Sequence, residues 1–238
     1  MIEAERINRG RVLAIRLVVA AIGAGAWFGT QALIGHRAVA ASGIGDRLHI
    51  LSAPLNQYLM QTPGAANGLL IVSSGLIDLL VMFVFAEWLF GRSVRPLLGL
   101  VILIGLRQVM QGLCVLPQPH NMIWHYPGFP SLLVTYGVAN DYFFSAHTAI
   151  AVFAATELAR LGRRWIKLLA VLIVVFEAAT VLVLRAHYTI DVFTAVIAAL
   201  YVAHLADRMS PVLDRKLARY LAPPVEQSVR EPASDIAS

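Results

Sequence analysis

Along this chain apolar residues come in long blocks broken by short polar ones, with no run of the strict alternation that marks a half-buried strand. A helix needs roughly 20 residues to cross a hydrocarbon core of about 30 Å. Six blocks approach or exceed that length: 12–34, 66–90, 96–116, 145–161, 165–184 and 188–209. The pattern predicts an all-α polytopic membrane protein, six transmembrane helices in one bundle, with both termini on the same side. The fourth block is the shortest in apolar content, because Glu157 and Arg160 cut into it and Asp141 precedes it. The first imitates a secretory signal, with arginines ahead of it and Ala38-Val39-Ala40 behind, but it outruns the roughly 7–15 residues of a signal core and reads as a retained span.

Between the first two blocks, 35–65 is mixed in polarity and broken by Pro54, Pro63 and Gly64; Leu48, Ile50, Leu51, Leu55 and Leu59 are placed to rest on the membrane interface. The expected organisation is a six-span catalytic domain, 1–209, followed by a cytoplasmic segment, 210–238. There Val212, Leu213, Leu217 and Leu221, interleaved with Arg215, Lys216 and Arg219, read as an interfacial helix, and the stretch beyond Pro223-Pro224 as a disordered tail.

Composition narrows the class. Apolar residues make up 58% and charged residues 14% of the 238, against about a quarter charged in a soluble domain, which excludes an ordinary soluble enzyme. The net charge of +5 comes from residues that flank apolar blocks rather than line polar helices, so no nucleic-acid partner is expected. Of the 19 Lys and Arg, 15 fall on the side of the termini. The positive-inside rule makes that side cytoplasmic and puts loops 35–65, 117–144 and 185–187 in the other compartment, across the inner membrane in a bacterium. One cysteine, Cys114, excludes a disulfide framework and a cysteine-based zinc site.

Chemistry gathers at the non-cytoplasmic edge. His187-Tyr188-Thr189-Ile190-Asp191 opens the sixth block, and a His-x-x-x-Asp spacing on a helix lets the carboxylate reach the imidazole. Such a carboxylate fixes the tautomer and frees the other ring nitrogen for attack. His147, opening the fourth block at the same edge, is the second acid/base. Two histidines and a carboxylate at a membrane surface suit phosphoryl transfer through a covalent phosphohistidine. A single histidine at a span end is commonly only interfacial, but Asp191, one turn inside a span, is costly and calls for a partner or a function. Trp124, Tyr126, Phe129, Tyr142, Phe143 and Phe144 read as an aromatic belt, or in part as a cage for a choline-like cation.

These residues carry a resemblance. Asp141 followed by Ser145-Ala146-His147-Thr148, and then His187-Tyr188-Thr189-Ile190-Asp191-Val192, resemble the paired motifs of the sphingomyelin synthase family, lipid phosphate phosphatase-like phosphotransferases of the phosphatidic acid phosphatase type 2 superfamily. The second motif is matched in full. The first departs at Ala139 and Asn140, where Cys and Gly are expected, and at Ala146 in place of Gly, a change that is harmless in helical backbone and costly at positive φ. Arg95, Arg107 and Leu116-Pro117 are similar in spacing to a third, basic motif.

The resemblance implies a double displacement. His187 attacks the phosphorus of a donor phospholipid, Asp191 orients it, and His147 protonates the departing diacylglycerol oxygen, then deprotonates the acceptor hydroxyl. Partners would be membrane lipids: a phosphocholine or phosphoethanolamine donor, and ceramide or diacylglycerol as acceptor. Substrate contacts are expected from Asp141, Tyr142, Ser145, Arg107 and Tyr188. No cofactor and no metal is expected. Arg107, ten residues before Pro117 and so about 15 Å along the helix, is expected deeper than the histidines, reaching for a phosphate or pairing with Asp78 or Glu177.

The chief rival is a lipid phosphate phosphatase, with water as acceptor. That family's Lys position holds Trp88, and its Ser-Arg positions hold Thr180 and Val181, which favours the transferase. A serine protease built on Ser145 lacks a glycine-rich nucleophile motif, a CDP-alcohol phosphotransferase would need clustered aspartates, and a non-catalytic lipid-binding protein would need no proton-transfer pair.

Overall fold

The computed structural model describes residues 2–36, 44–136 and 142–221, and among these every regular element is helical. In chain order they are α1 (Ile2–Gly35), α2 (Arg47–Leu51), α3 (Ala53–Gln61), α4 (Pro63–Phe90), α5 (Arg95–Leu113), α6 (Ala146–Ala159), α7 (Arg164–Val183) and α8 (Thr189–Leu221). Five helices are long and apolar enough to span: Gly10–Leu33 within α1, then α4, α5, α7 and α8. They present exposed Leu79, Met82, Val101, Leu168, Leu172, Phe193 and Ile197 on their outer faces, as lipid-facing surfaces do.

The fourth expected span, 145–161, is not among the five. α6 has 14 residues, about 21 Å of helix, short of a hydrocarbon core of about 30 Å. It is also the most enclosed helix, with Ala149 through Ala154 all buried and α4, α5, α7 and α8 packed around it. A helix apolar on every face belongs inside protein. Close packing depends on Gly99 of α5, where an added Cβ would run into the Phe153 ring.

The bundle has two polar ends. At one, Arg95 of α5 pairs with buried Glu157 of α6 and, at 2.6 Å, with Asp207 of α8, which also takes Arg160. Nearby, the Arg16 guanidinium donates to the Leu89 and Gly91 carbonyls at the end of α4 and lies over Trp88. α8 runs through Pro211 without a break, and Asp214 accepts hydrogen bonds from Ser93 Oγ and Val94 N at the start of α5. The amphipathic stretch after Pro211 is thus helical, continuous with the last span and docked on the bundle. The stretch beyond Pro223-Pro224, expected as a disordered tail, lies outside the described residues.

At the other end, α2 and α3 sit across the helix tops, with His49, Asn56 and Leu59 buried and Leu48, Ile50, Leu51 and Leu55 exposed. Asn56 Nδ2 donates to the Asn121 and Val183 carbonyls. The segment after α5 is not simply an outer loop. Its contacts step down one face of α4: His125 on Asn67, Tyr136 on Ser74, and Ser131 Oγ with the Leu132 and Leu133 N–H groups on Asp78. From Asn67 to Asp78 is about 16 Å along the helix. Irregular backbone at that depth needs its polar groups satisfied by protein, which explains an aspartate in the middle of an apolar span.

Candidate active site

The site is assembled where α6 and α8 begin. Ser145 is the N-cap of α6: its Oγ accepts from Thr148 N and bonds Thr148 Oγ1, while its N–H reaches the Asp191 carbonyl at 3.4 Å. Ala146 is the first helical residue, so the alanine standing for a family glycine sits in ordinary helical backbone. The left-handed conformation falls two residues earlier, at Phe144 (φ 71°), and again at Arg185 (φ 55°) before His187. Non-glycine residues rarely adopt it, and here both flank the histidines.

His187 and Asp191 are close but not as helical spacing predicts. α8 begins at Thr189, so His187 precedes the helix. Its Nδ1 is 2.8 Å from the Tyr142 carbonyl and 3.6 Å from Asp191 Oδ2. A carbonyl oxygen only accepts, so Nδ1 carries the proton and Nε2 is the basic nitrogen. Asp191 Oδ2 instead accepts from Tyr188 N at 2.8 Å, the reach-back of a capping box, while lending its charge to the ring. His147 is buried, and its Nε2 has no hydrogen-bond partner among the described residues.

Both histidines line a cavity of about 430 Å³ whose other walls are α1, α4, α5 and the segment 122–135. Its lining is largely apolar, from Val19 to Gln31 on α1 and from Leu97 to Gln108 on α5, the latter about 16 Å. Arg107 lies on this wall, buried, its Nη1 donating to Gln31 Oε1 at 3.3 Å and its guanidinium 5.4 Å from the Trp27 ring.

The expected depth of Arg107 is corrected. Glu157 pairs with Arg95; His147 stands ten residues above the one, about 15 Å, and Arg107 twelve above the other, about 18 Å. The short α6 recesses the histidines to the level of Arg107. Its proposed partners are engaged elsewhere, Asp78 with the segment 131–133 and Glu177 with Ser73 Oγ at 2.6 Å.

The other expected residues divide. Tyr142 lines the cavity and supplies the carbonyl that fixes His187. Ser145 and Tyr188 are buried and absent from the lining; Ser145 caps its helix and the Tyr188 hydroxyl donates to the Pro117 carbonyl. Asp141 lies outside the described residues. Trp124 lines the cavity, with its ring 5.3 Å from that of His147 and nearly perpendicular, whereas Tyr126 and Phe129 are exposed. Sequence reasoning missed Trp27 and Gln31, which look like ordinary span residues, and Asp46 and His49, whose only signal was an aspartate at the N-cap position of a short helix.

Comparison with known proteins adds a family. No solved structure matches the chain. Phosphatidylcholine:diacylglycerol cholinephosphotransferase 1 of Arabidopsis thaliana is 21% identical over 167 residues, 70% of this chain and 54% of that protein, so the chain spans about half the length of this curated relative. The resemblance to sphingomyelin synthases is therefore kept at the coarser level of lipid phosphotransferase-like proteins, without the sphingolipid specificity. A family model described as AtPDCT1/2 matches residues 46–208, from the cap of α2 to the far end of the bundle, and the chain belongs to that family.

Proposed function

We propose that this protein moves phosphocholine from phosphatidylcholine to diacylglycerol through a phosphohistidine on His187. The observation that carries the proposal is the convergence of two imidazoles and a guanidinium at the end of an apolar cavity about 16 Å deep, close to half a hydrocarbon core of about 30 Å. A lipid tail fits that depth, and the relative's printed name supplies donor and acceptor.

In this reading His187 Nε2 attacks phosphorus, and the bond from phosphorus to the diacylglycerol oxygen breaks. The proton on His147 goes to that oxygen, so neutral diacylglycerol leaves. A second diacylglycerol returns its hydroxyl proton to His147 and takes the phosphocholine from His187. Arg107 balances the phosphate charge, where fixed cations act most strongly in a dry site. The tautomer set by the Tyr142 carbonyl keeps Nε2 unprotonated for the attack. Leaving group and acceptor are one chemical class, so microscopic reversibility lets one histidine serve both halves. Enclosure by Trp124 and the segment 122–135 keeps bulk water from the phosphoenzyme.

The test is purified protein in phosphatidylcholine vesicles with isotope-labelled diacylglycerol, read by lipid mass spectrometry. Labelled phosphatidylcholine is expected, without free phosphocholine or inorganic phosphate. Release of either into water with no labelled lipid would make the protein a hydrolase, and preferential sphingomyelin formation when ceramide is added would move the acceptor.

The distribution of Lys and Arg further supports a histidine end facing away from the cytoplasm. Gln118, exposed at that end, replaced by Cys in a Cys114→Ser background, should react with an impermeant thiol reagent in intact cells. Protection there would reverse the orientation.

A further inference from the structure

The nucleophile is held from behind as well as from the cavity side. α2 lies against the 185–189 turn and makes a bracket with it. His49 Nε2 is 2.9 Å from the His187 carbonyl, and since that oxygen only accepts, Nε2–H donates. The His49 ring stacks on Tyr188 at 5.4 Å between centroids and 26° between planes. Arg185 Nη2 returns a bond to the His49 carbonyl at 3.2 Å.

One carboxylate closes the bracket. Asp46 Oδ1 accepts from Leu48 N and His49 N, capping α2, and also from Thr189 Oγ1 at 2.6 Å. Its Oδ2 accepts from Thr189 N at 2.5 Å, at the first residue of α8. A single side chain thus caps two helix starts, one carrying His49 and the other following His187.

Neither Asp46 nor His49 lines the cavity, so neither is placed to touch a lipid there. His187 lies outside the helix, beside an Arg185 in left-handed backbone, so helical hydrogen bonding alone does not fix its main chain. We infer that Asp46 and His49 are positioning residues that set the register of His187 for attack on phosphorus, acting through its carbonyl and the Tyr188–Thr189 backbone. The inference rests on the reading of His187 as the nucleophile. A displacement of about 1 Å in a reacting group costs on the order of 10²-fold in rate. A turn that must hold still while its imidazole gains and loses a phosphoryl group is where such bracing has effect.

The experiment uses the full chain in phosphatidylcholine vesicles with labelled diacylglycerol, activity being normalised to folded protein by thermal unfolding. His49→Leu removes the donor and the stacked ring; His49→Gln keeps an N–H donor. The expected result is a fall in kcat of about 10–100-fold for His49→Leu, with KM for diacylglycerol within about twofold and most of the loss recovered in His49→Gln. Asp46→Asn should lower kcat in the same manner. Wild-type kcat per folded His49→Leu protein overturns the inference, as does an equal loss in both His49 variants that tracks thermal stability. His187→Ala is run beside them. If it is inactive while His49→Leu is fully active, positioning fails and the phosphohistidine reading stands; if His187→Ala itself transfers, that reading fails and the inference falls with it.

Discussion

At one end of the bundle Arg95, Glu157, Asp207 and Arg160 form a network in which each guanidinium lies against a carboxylate, and none of the four lines the histidine cavity. At the other, among the described residues, His147 keeps a buried ring nitrogen without a hydrogen-bond partner, one Asp191 oxygen likewise lacks one, and both histidines face a cavity. Buried charge is expensive in either place. The closed network pairs charge with charge and ties α5, α6 and α8 together. The open cluster leaves the capacity to bond a reacting group, at a cost in stability that the scaffold carries. A cavity facing the unpartnered atoms, and not the number of charged residues, marks the histidine end as the candidate site.

The sharpest break of this comparison is removal of the nucleophile. His187→Ala should lose at least about 10⁴-fold in transfer and equally in donor cleavage, the scale of deleting a covalent nucleophile, while remaining folded. Cleavage of phosphatidylcholine by the variant would uncouple the two half-reactions. Asp191→Asn should lose about 10²–10⁴-fold, because Asp191 holds Tyr188 N and sets the field at the ring without bonding it directly. A readout separates these roles: if the backbone brace dominates, Asn, which retains an acceptor, recovers most of the activity that Asp191→Ala loses.

The two arginines sharpen the contrast. Arg107→Ala should lower kcat/KM about 10²–10³-fold with little change in unfolding temperature, as loss of a fixed charge at a reacting phosphate does. Arg95→Ala should do the reverse, leaving buried Glu157 without its cation and costing about 3 kcal/mol of stability, with kcat/KM per folded protein retained. Comparable catalytic loss from both would erase the distinction between the ends.

How much of this was legible follows from what sequence periodicity can encode. Long apolar blocks announce α4, α5, α7 and α8 because lipid contact demands them. α6 misled because enclosure by other helices, not lipid, shapes it, and a 14-residue helix buried on all sides has the composition of a clipped span. The same shortening hid the level of Arg107, since depth counted from Pro117 says nothing of how far α6 rises. His147, His187 and Asp191 were legible as candidates because ionisable groups at span ends are conspicuous. Their bonding was not: the Tyr142 carbonyl that fixes His187 is a backbone atom 45 residues away, and the link from Asp46 to Thr189 spans 143. Asp78 looked like a partner for arginine, and only the descending segment 131–133 explains it.

The smallest expected effect concerns charge used at the histidine end purely for fixing. Burial alone would raise the Asp46 carboxyl, but the hydrogen bonds from the Thr189 hydroxyl and N–H and from His49 N, with the charge of the His49 ring, outweigh it and hold it below its ordinary value. The unfolded chain, with an ordinary aspartate near 3.9, takes up a proton at higher pH than the folded one. Stability from this group is therefore fully present above about pH 4 and is lost as pH falls through the depressed folded value. Asp46→Asn has nothing to titrate there. It should be less stable than wild type at neutral pH, and the gap should close as acid protonates the wild-type carboxylate. Thermal unfolding in detergent from pH 6 to about pH 3 reads this directly. A gap that stays constant over the range would mean that Asp46 joins α2 to α8 by shape and neutral acceptance alone, without use of its charge.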